Sequence, residues 1–174
     1  MGFFGANELL EMNLHPDYKG KRVAVVGGGN VAMDAARTVK RLGADTVCVV
    51  YRRAEEQMPA ERREIQDAKN DGIEFLFQNN IVRINGGKNE SVCGVSEVKN
   101  SNGKVTSVEC IKTELVKKDN SDRLVPVNIE GSNYTLDMDY VIMAVGAEPE
   151  SSVVSKLGTK LDKWGYIDVD ENFM

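Results

Sequence analysis

Six consecutive residues, Gly27, Gly28, Gly29, Asn30, Val31 and Ala32, have the types and spacing to hold a phosphate. In a Gly-x-Gly-x-x-Ala string the turn carries almost no side chain, so backbone N–H groups approach an anion closely. A helix opening there adds unpaired N–H groups and the positive end of its dipole. Gly27 permits the sharp turn and Gly29 leaves room for a pyrophosphate. Ala32 is small enough to let the helix pack on the preceding strand. The string alone is a weak signal, because a plain flexible turn between strand and helix uses the same residues.

Arg52 and Arg53 carry the second chemical signal. They follow the second apolar run, where an NADH-binding domain offers a carboxylate to the ribose hydroxyls. A carboxylate there repels a 2′-phosphate, whereas guanidinium forks match its oxygens. Two charge-assisted hydrogen bonds predict a preference for NADPH over NADH on the order of 100-fold or more. An arginine pair that merely keeps a sheet edge soluble fits the same residues. Arg62 and Arg63 offer either a further contact or solvated charge, and Asp34 has no firm role.

No other residues look catalytic. His15 is the only histidine, placed by its neighbours in a solvent-facing loop, which excludes a histidine triad or metal cluster. Cys48, Cys93 and Cys110 are odd in number and far apart, so they form neither a disulfide framework nor a Cys-x-x-Cys pair. They read as buried thiols in a reducing cytosol. The expectation is a binding unit with no catalytic side chain and no metal site.

The elements that must position these residues are legible. Residues 22–26 form an apolar run bounded by glycines, as in a strand buried on both faces of a parallel sheet. A helix over 30–42 follows, stopped by Gly43. A second buried strand covers 46–51. A helix over 60–70 has Pro59 just inside its start and Gly72 past its end, and a third strand covers 73–77. This is the opening of a doubly wound α/β sheet. Residues 5–14 read as a short amphipathic helix. From 81 to about 136 the texture changes to short alternating runs, with antiparallel strands over 92–98, 105–111 and 124–129 and a tight hairpin at Asn102-Gly103. The apolar strand style returns over 140–146.

A chain of 174 residues is long enough for one domain with a real core, and its formal net charge of −5 disfavours nucleic acid and anionic lipid as partners. No run is apolar for long enough to span a membrane. A cytoplasmic location is expected.

Taken together, residues 20–37, Val50-Tyr51-Arg52-Arg53, Met58-Pro59-Ala60, Asp71-Gly72-Ile73-Glu74-Phe75, Cys110-Ile111-Lys112-Thr113-Glu114-Leu115 and residues 140–149 resemble the NADPH-binding domain of the glutamate synthase (NADPH) small subunit family. That family includes the large subunit of NADH-dependent ferredoxin–NADP oxidoreductases. The resemblance implies a Rossmann-like FAD/NAD(P)-binding domain, its parallel sheet interrupted by an antiparallel β-meander crossover. It implies that Gly27 to Ala32 bind the pyrophosphate, that Arg52 and Arg53 bind the 2′-phosphate, and that Ala144, Val145 and Gly146 line the nicotinamide side. Small residues at the end of a parallel strand do let a flat ring approach, although a strand-ending glycine of purely structural use fits equally.

The departures from the family pattern are specific. Its earlier FAD fingerprint and later Gly-Asp segment are not in this sequence, and no cysteine cluster can ligate an iron–sulfur centre. Gly5-Ala6-Asn7-Glu8 and Trp164-Gly165-Tyr166-Ile167-Asp168 resemble edges of that FAD domain. The expectation is an excised domain: 1–20 a linker or edge, 21–149 the NADPH-binding domain, and 150–174 a return segment. FAD and iron–sulfur clusters then belong only to the missing parts of the parent enzyme, and the isolated chain is inactive. The implied partners are the FAD domain of the same parent chain and an iron–sulfur or glutamate synthase large subunit. Alternatives are a non-catalytic NADP(H)-sensing module, or the equivalent domain of a thioredoxin-reductase-like enzyme, which the lack of Cys-x-x-Cys disfavours.

Overall fold

Alternation along three short strands builds the molecule in layers. The computed structural model describes residues 2–86, 91–92, 104–117, 124–146, 158, 160–161 and 167–168. In chain order the elements are β1 (Phe3–Gly5), α1 (Ala6–Glu11), β2 (Arg22–Val26), α2 (Asn30–Arg41), β3 (Thr46–Tyr51), α3 (Arg62–Asn70), β4 (Glu74–Phe77), β5 (Asn79–Gly86), β6 (Ser91–Val92), β7 (Val105–Lys117), β8 (Leu124–Asn128), β9 (Tyr134–Asp137) and β10 (Tyr140–Met143). A five-stranded sheet runs β1-β10-β2-β3-β4 with every pair parallel. Val23, Val25, Val47, Val49 and Ile142 point to one face and pack against α2 and α3 through Ala32, Met33, Ala36, Val39, Ile65 and Ala68. Their neighbours Ala24, Cys48, Val50 and Val141 point to the other face, against Ile81, Ile84, Val108 and Cys110 of the antiparallel sheet. The period of two in a strand thus puts apolar residues on both faces, and both are covered.

The antiparallel sheet runs β6-β5-β7-β8, and β9 also pairs with β7. β7 is its spine: its first half pairs with β5 and β9, its second half with β8. Strand order in the parallel sheet reverses beside β2. The chain moves outward through β3 and β4, crosses the antiparallel layer, and returns as β10 on the other side of β2. In such sheets ligands bind beyond the carboxyl ends of the strands at this reversal.

Several expected boundaries shift. The helix predicted over 5–14 is only Ala6–Glu11, because Phe3–Gly5 extends the sheet beside β10. The helix predicted from residue 60 begins at Arg62, with Pro59 outside it. The reason is tertiary: the N–H of Ala60 donates to the Gly28 carbonyl at 3.0 Å and that of Glu61 to Asn30 Oδ1 at 2.9 Å. The strand predicted over 105–111 continues to Lys117, while β5, which carries no clear alternation, and the four-residue β9 lie outside the predicted strands. Gly43 and Gly72 follow their helices with φ of 97° and 77°, as expected of glycine there. The strand over 92–98, the Asn102-Gly103 hairpin and Cys93 lie outside the described residues. His15 is less exposed than its loop setting suggested: it is half-buried, and its Nδ1 is buried without a partner.

Ion pairs fasten the helical layer. Arg37 of α2 meets Glu64 at 2.9 Å and Asp71 at 2.9 Å, and Asp67 at 3.7 Å. Its hydrogen bond holds the Asp71 carboxyl below its ordinary value. Asp139, ahead of β10, accepts the Arg22 N–H at 3.0 Å, and that bond likewise lowers its titration. Both carboxyls bind protons more weakly in the fold than in the unfolded chain. Their contribution is therefore present above the unfolded value of about 3.9 and disappears as pH falls through the lower folded values. Acid unfolding of Asp71→Asn should show a shallower loss of stability below about pH 4 than the parent chain. Identical acid limbs in urea titrations would refute the assignment.

Candidate nucleotide-binding site

The carboxyl ends of β2 and β10 meet at Gly27. Its φ of 142° lies where side chains are rarely tolerated, and a Cβ there would collide with the Ala144 carbonyl. The Gly27 N–H donates to the Val50 carbonyl at 3.1 Å, and the Ala144 N–H to the Val26 carbonyl at 2.7 Å. Gly28 has a different reason to lack a side chain: a Cβ would lie 2.5 Å from Cε2 of the Tyr51 ring. Gly29 caps α2 in an extended conformation, and its missing Cβ faces open space apart from Pro59 at 4.0 Å. Ala32 is fully buried beneath the turn. The N–H groups of Ala32 and Met33 turn inward to the Gly29 carbonyl, whereas those of Gly28, Gly29, Asn30 and Val31 have no acceptor among the described residues. Free amides at a helix start attract an anion.

A cleft of about 630 Å³ opens over this turn. Gly27, Gly28, Gly29, Asn30 and Val31 line it, with Arg52 beyond β3 and with Ala144, Val145 and Gly146 beyond β10. The strand order sets these two groups on opposite sides of the glycine turn. Of the residues expected from sequence to hold the nucleotide, Ala32 and Arg53 are off the wall, the first buried and the second half-buried, and Arg62 and Arg63 do not line it either. Among the described residues no carboxylate lines the cleft. Two apolar side chains on its wall, Val31 and Val145, are 42% and 54% exposed, so apolar surface is left for a ligand or another domain to cover. Asp34 faces solvent.

Sequence reasoning missed the groups that brace this wall. Tyr51 donates its hydroxyl to the Gln57 carbonyl at 2.7 Å while its ring covers Gly28. With the Ala60–Gly28 and Glu61–Asn30 bonds, this straps residues 57–61 across the glycine turn. Asn30 therefore spends its side-chain oxygen on the protein, leaving its backbone N–H and its side-chain NH2 as donors. Asn79, Asn80 and Ile81 also line the cleft. Asn79 is held by the Tyr134 hydroxyl at 2.7 Å. The polar run Gln78-Asn79-Asn80 directly after a strand was the available signal for this corner.

The arginine pair sits in the turn that ends β3. Among the described residues Arg52, Arg53, Arg62 and Arg63 have no carboxylate partner, in contrast to Arg37. An arginine left unpaired beside free backbone amides is available to an anion. Cys48 and Cys110, by contrast, are buried thiols held in the protonated form: burial pushes Cys48 up to about 12 and Cys110 up to about 11. No group of three or more metal-ligating side chains exists among the described residues, and no described helix is long and apolar enough to cross a membrane.

Known proteins share both the sequence and the fold. The family pattern described as pyridine nucleotide-disulphide oxidoreductase matches residues 5–174. The glutamate synthase [NADPH] small chain of Escherichia coli is 40% identical over 154 residues, 88% of this chain and 30% of that protein. The NADPH-Fe(3+) oxidoreductase subunit beta of Geobacter sulfurreducens is 35% identical over 153 residues, 87% of this chain and 21% of that one. The chain thus spans less than a third of the length of either relative. The crystal structure of T. acidophilum thioredoxin reductase superposes with a TM-score of 0.61 at 23% identity, covering 98% of this chain and 44% of that one, which shows a common fold. The glycine turn at the strand-order reversal, the paired sheets and the match across residues 5–174 lead to one assignment: the chain belongs to the pyridine nucleotide-disulphide oxidoreductase family.

Proposed function

We propose that this chain docks NADPH for a flavin-dependent oxidoreductase of the glutamate synthase small-chain type. The observation that carries this reading is one cleft with free backbone amides at the glycine turn and Arg52 on its wall, Arg53 following in sequence; among the described residues neither arginine has a carboxylate partner and no carboxylate lines the wall. These residues fit a dinucleotide phosphate. Gly27 makes the turn and Gly28 to Val31 hold the pyrophosphate through their N–H groups, with Ala32 beneath them letting the helix start approach. Arg52 and Arg53 take the 2′-phosphate in forked, charge-assisted hydrogen bonds. Ala144, Val145 and Gly146 let a flat nicotinamide ring lie close to the end of β10.

Bound NADPH supplies a hydride, and in this reading the acceptor is FAD held by another domain of the parent chain. The residues here orient the donor and exclude water; none moves a proton. Residues 21–149 form the nucleotide domain, with 1–20 and 150–174 leading to the FAD domain. In this reading the parent enzyme works in the cytoplasm, and its partner would be an iron–sulfur subunit or a glutamate synthase large subunit. The isolated chain has no turnover of its own.

Calorimetric titration of the purified chain with NADPH and NADH tests the reading. NADPH should bind on the order of 100-fold tighter, from two charge-assisted contacts. Equal affinities would remove the role given to the arginines.

A further inference from the structure

Thr113 is the one buried polar side chain recorded among the described residues, 4% exposed on β7 of the antiparallel sheet. Its hydroxyl donates to the Arg52 carbonyl at 2.8 Å. Its N–H donates to the Gln78 carbonyl at 2.8 Å, and the Gln78 N–H donates to the Arg53 carbonyl at 3.0 Å. The two successive carbonyls of the arginine turn are therefore bracketed to one point on the other sheet. Gln78 adopts φ of 54°, a left-handed conformation that a non-glycine residue keeps only where its surroundings enforce it. Here the enforcing bonds are the same ones that hold the turn.

This bracket matters because of what it supports. Arg52 is exposed and Arg53 half-buried, and neither has a partner among the described residues. Their long side chains gain direction mainly from the peptides that carry them. A guanidinium gives a bidentate contact only when its plane is aimed, so freedom in the Arg52 carbonyl spreads the charge over many poses. The glycine turn does not share this support, since its own bonds run to Val50, Ala60 and Glu61.

We propose that Thr113 is a positioning residue that sets the preference for NADPH over NADH, by fixing the backbone that carries Arg52 and Arg53. The inference rests on the NADPH reading above. It separates two contributions: the glycine turn serves both nucleotides, while the Thr113 bracket serves only the one with a 2′-phosphate.

Titrations of Thr113→Val and Thr113→Ser with NADPH and NADH decide the matter. Thr113→Val keeps the shape and removes the hydroxyl, and should weaken NADPH about tenfold while changing NADH less than about twofold. Thr113→Ser should restore the parent ratio. Equal losses for both nucleotides, or an unchanged ratio, would overturn the inference while leaving the NADPH reading intact. A parent chain without preference would overturn both. If Thr113→Val does not fold, amide exchange on the unmodified chain gives the same decision, because coupling is reciprocal. Adenosine 2′,5′-bisphosphate should slow exchange at Gln78 and Thr113, and adenosine 5′-monophosphate should not. The same protection from both ligands, or from neither, counts against the bracket.

Discussion

Gly27→Ala should cost the fold about 3 kcal/mol or more and abolish nucleotide binding. Two penalties coincide at this position. The backbone holds φ of 142°, which an L side chain rarely adopts, and the added methyl falls on the Ala144 carbonyl. Neither can relax alone. Rotating Gly27 out of its conformation breaks its bond to Val50, and moving Ala144 breaks its bond to Val26. Both strands belong to the centre of the parallel sheet, so the strain enters the main core. Gly29→Ala provides the contrast. Its φ of −92° suits any residue, and the new methyl meets only Pro59 at 4.0 Å. Stability should change by less than about 1 kcal/mol, as for other cap substitutions that keep the backbone. Its methyl still takes space beside the free amides, so affinity should fall for NADPH and NADH together. Urea unfolding measures the first effect and calorimetry the second. A Gly27→Ala chain as stable as its parent would refute the packing argument.

Arg52→Ala should weaken NADPH by roughly 10- to 100-fold, the worth of one charge-assisted contact to a phosphate, and leave NADH within about threefold. Arg52 lines the cleft and has no ion pair to lose, so its removal leaves no buried carboxylate stranded. Arg52→Lys should recover only part of the loss, because an ammonium cannot make the forked contact. Raising salt should narrow the difference between the nucleotides as the exposed guanidinium is screened. An equal loss for NADPH and NADH would mean that the substitution disturbs the turn and that Arg52 does not read the 2′-phosphate.

The parallel core was readable because its strands are apolar on both faces. Val23 to Val26 and Val47 to Val50 leave little other interpretation, and Gly43 marks the end of α2. The antiparallel layer was harder. β5 interrupts its register between Ile81 and Arg83 and again at Asn85, which destroys the alternation that identifies a strand. β1 has only three residues, and its strand character comes from pairing with β10, far away in sequence. The start of α3 was misread because Gly28 and Asn30 claim the donors of Ala60 and Glu61. The same division holds for the cleft. The glycine turn and arginine pair are local patterns, whereas Tyr51, Gln78 and Thr113 matter through bonds that join distant segments.

The core between the two sheets bears on any attempt to cut the molecule down. Among the described residues, Ala24, Cys48, Val50 and Val141 of the parallel sheet are covered by Ile81, Ile84, Val105, Val108, Cys110 and Met138 and their half-buried neighbours. A minimal unit made by joining β4 directly to β10 would expose a greasy face across the middle of the sheet and self-associate through it. Such a miniature would need polar residues at those four sites before it could stay in solution. It would also lose Gln78 and Thr113, and with them the hold on the arginine turn. What looks from sequence like a dispensable insertion is therefore half of the scaffold.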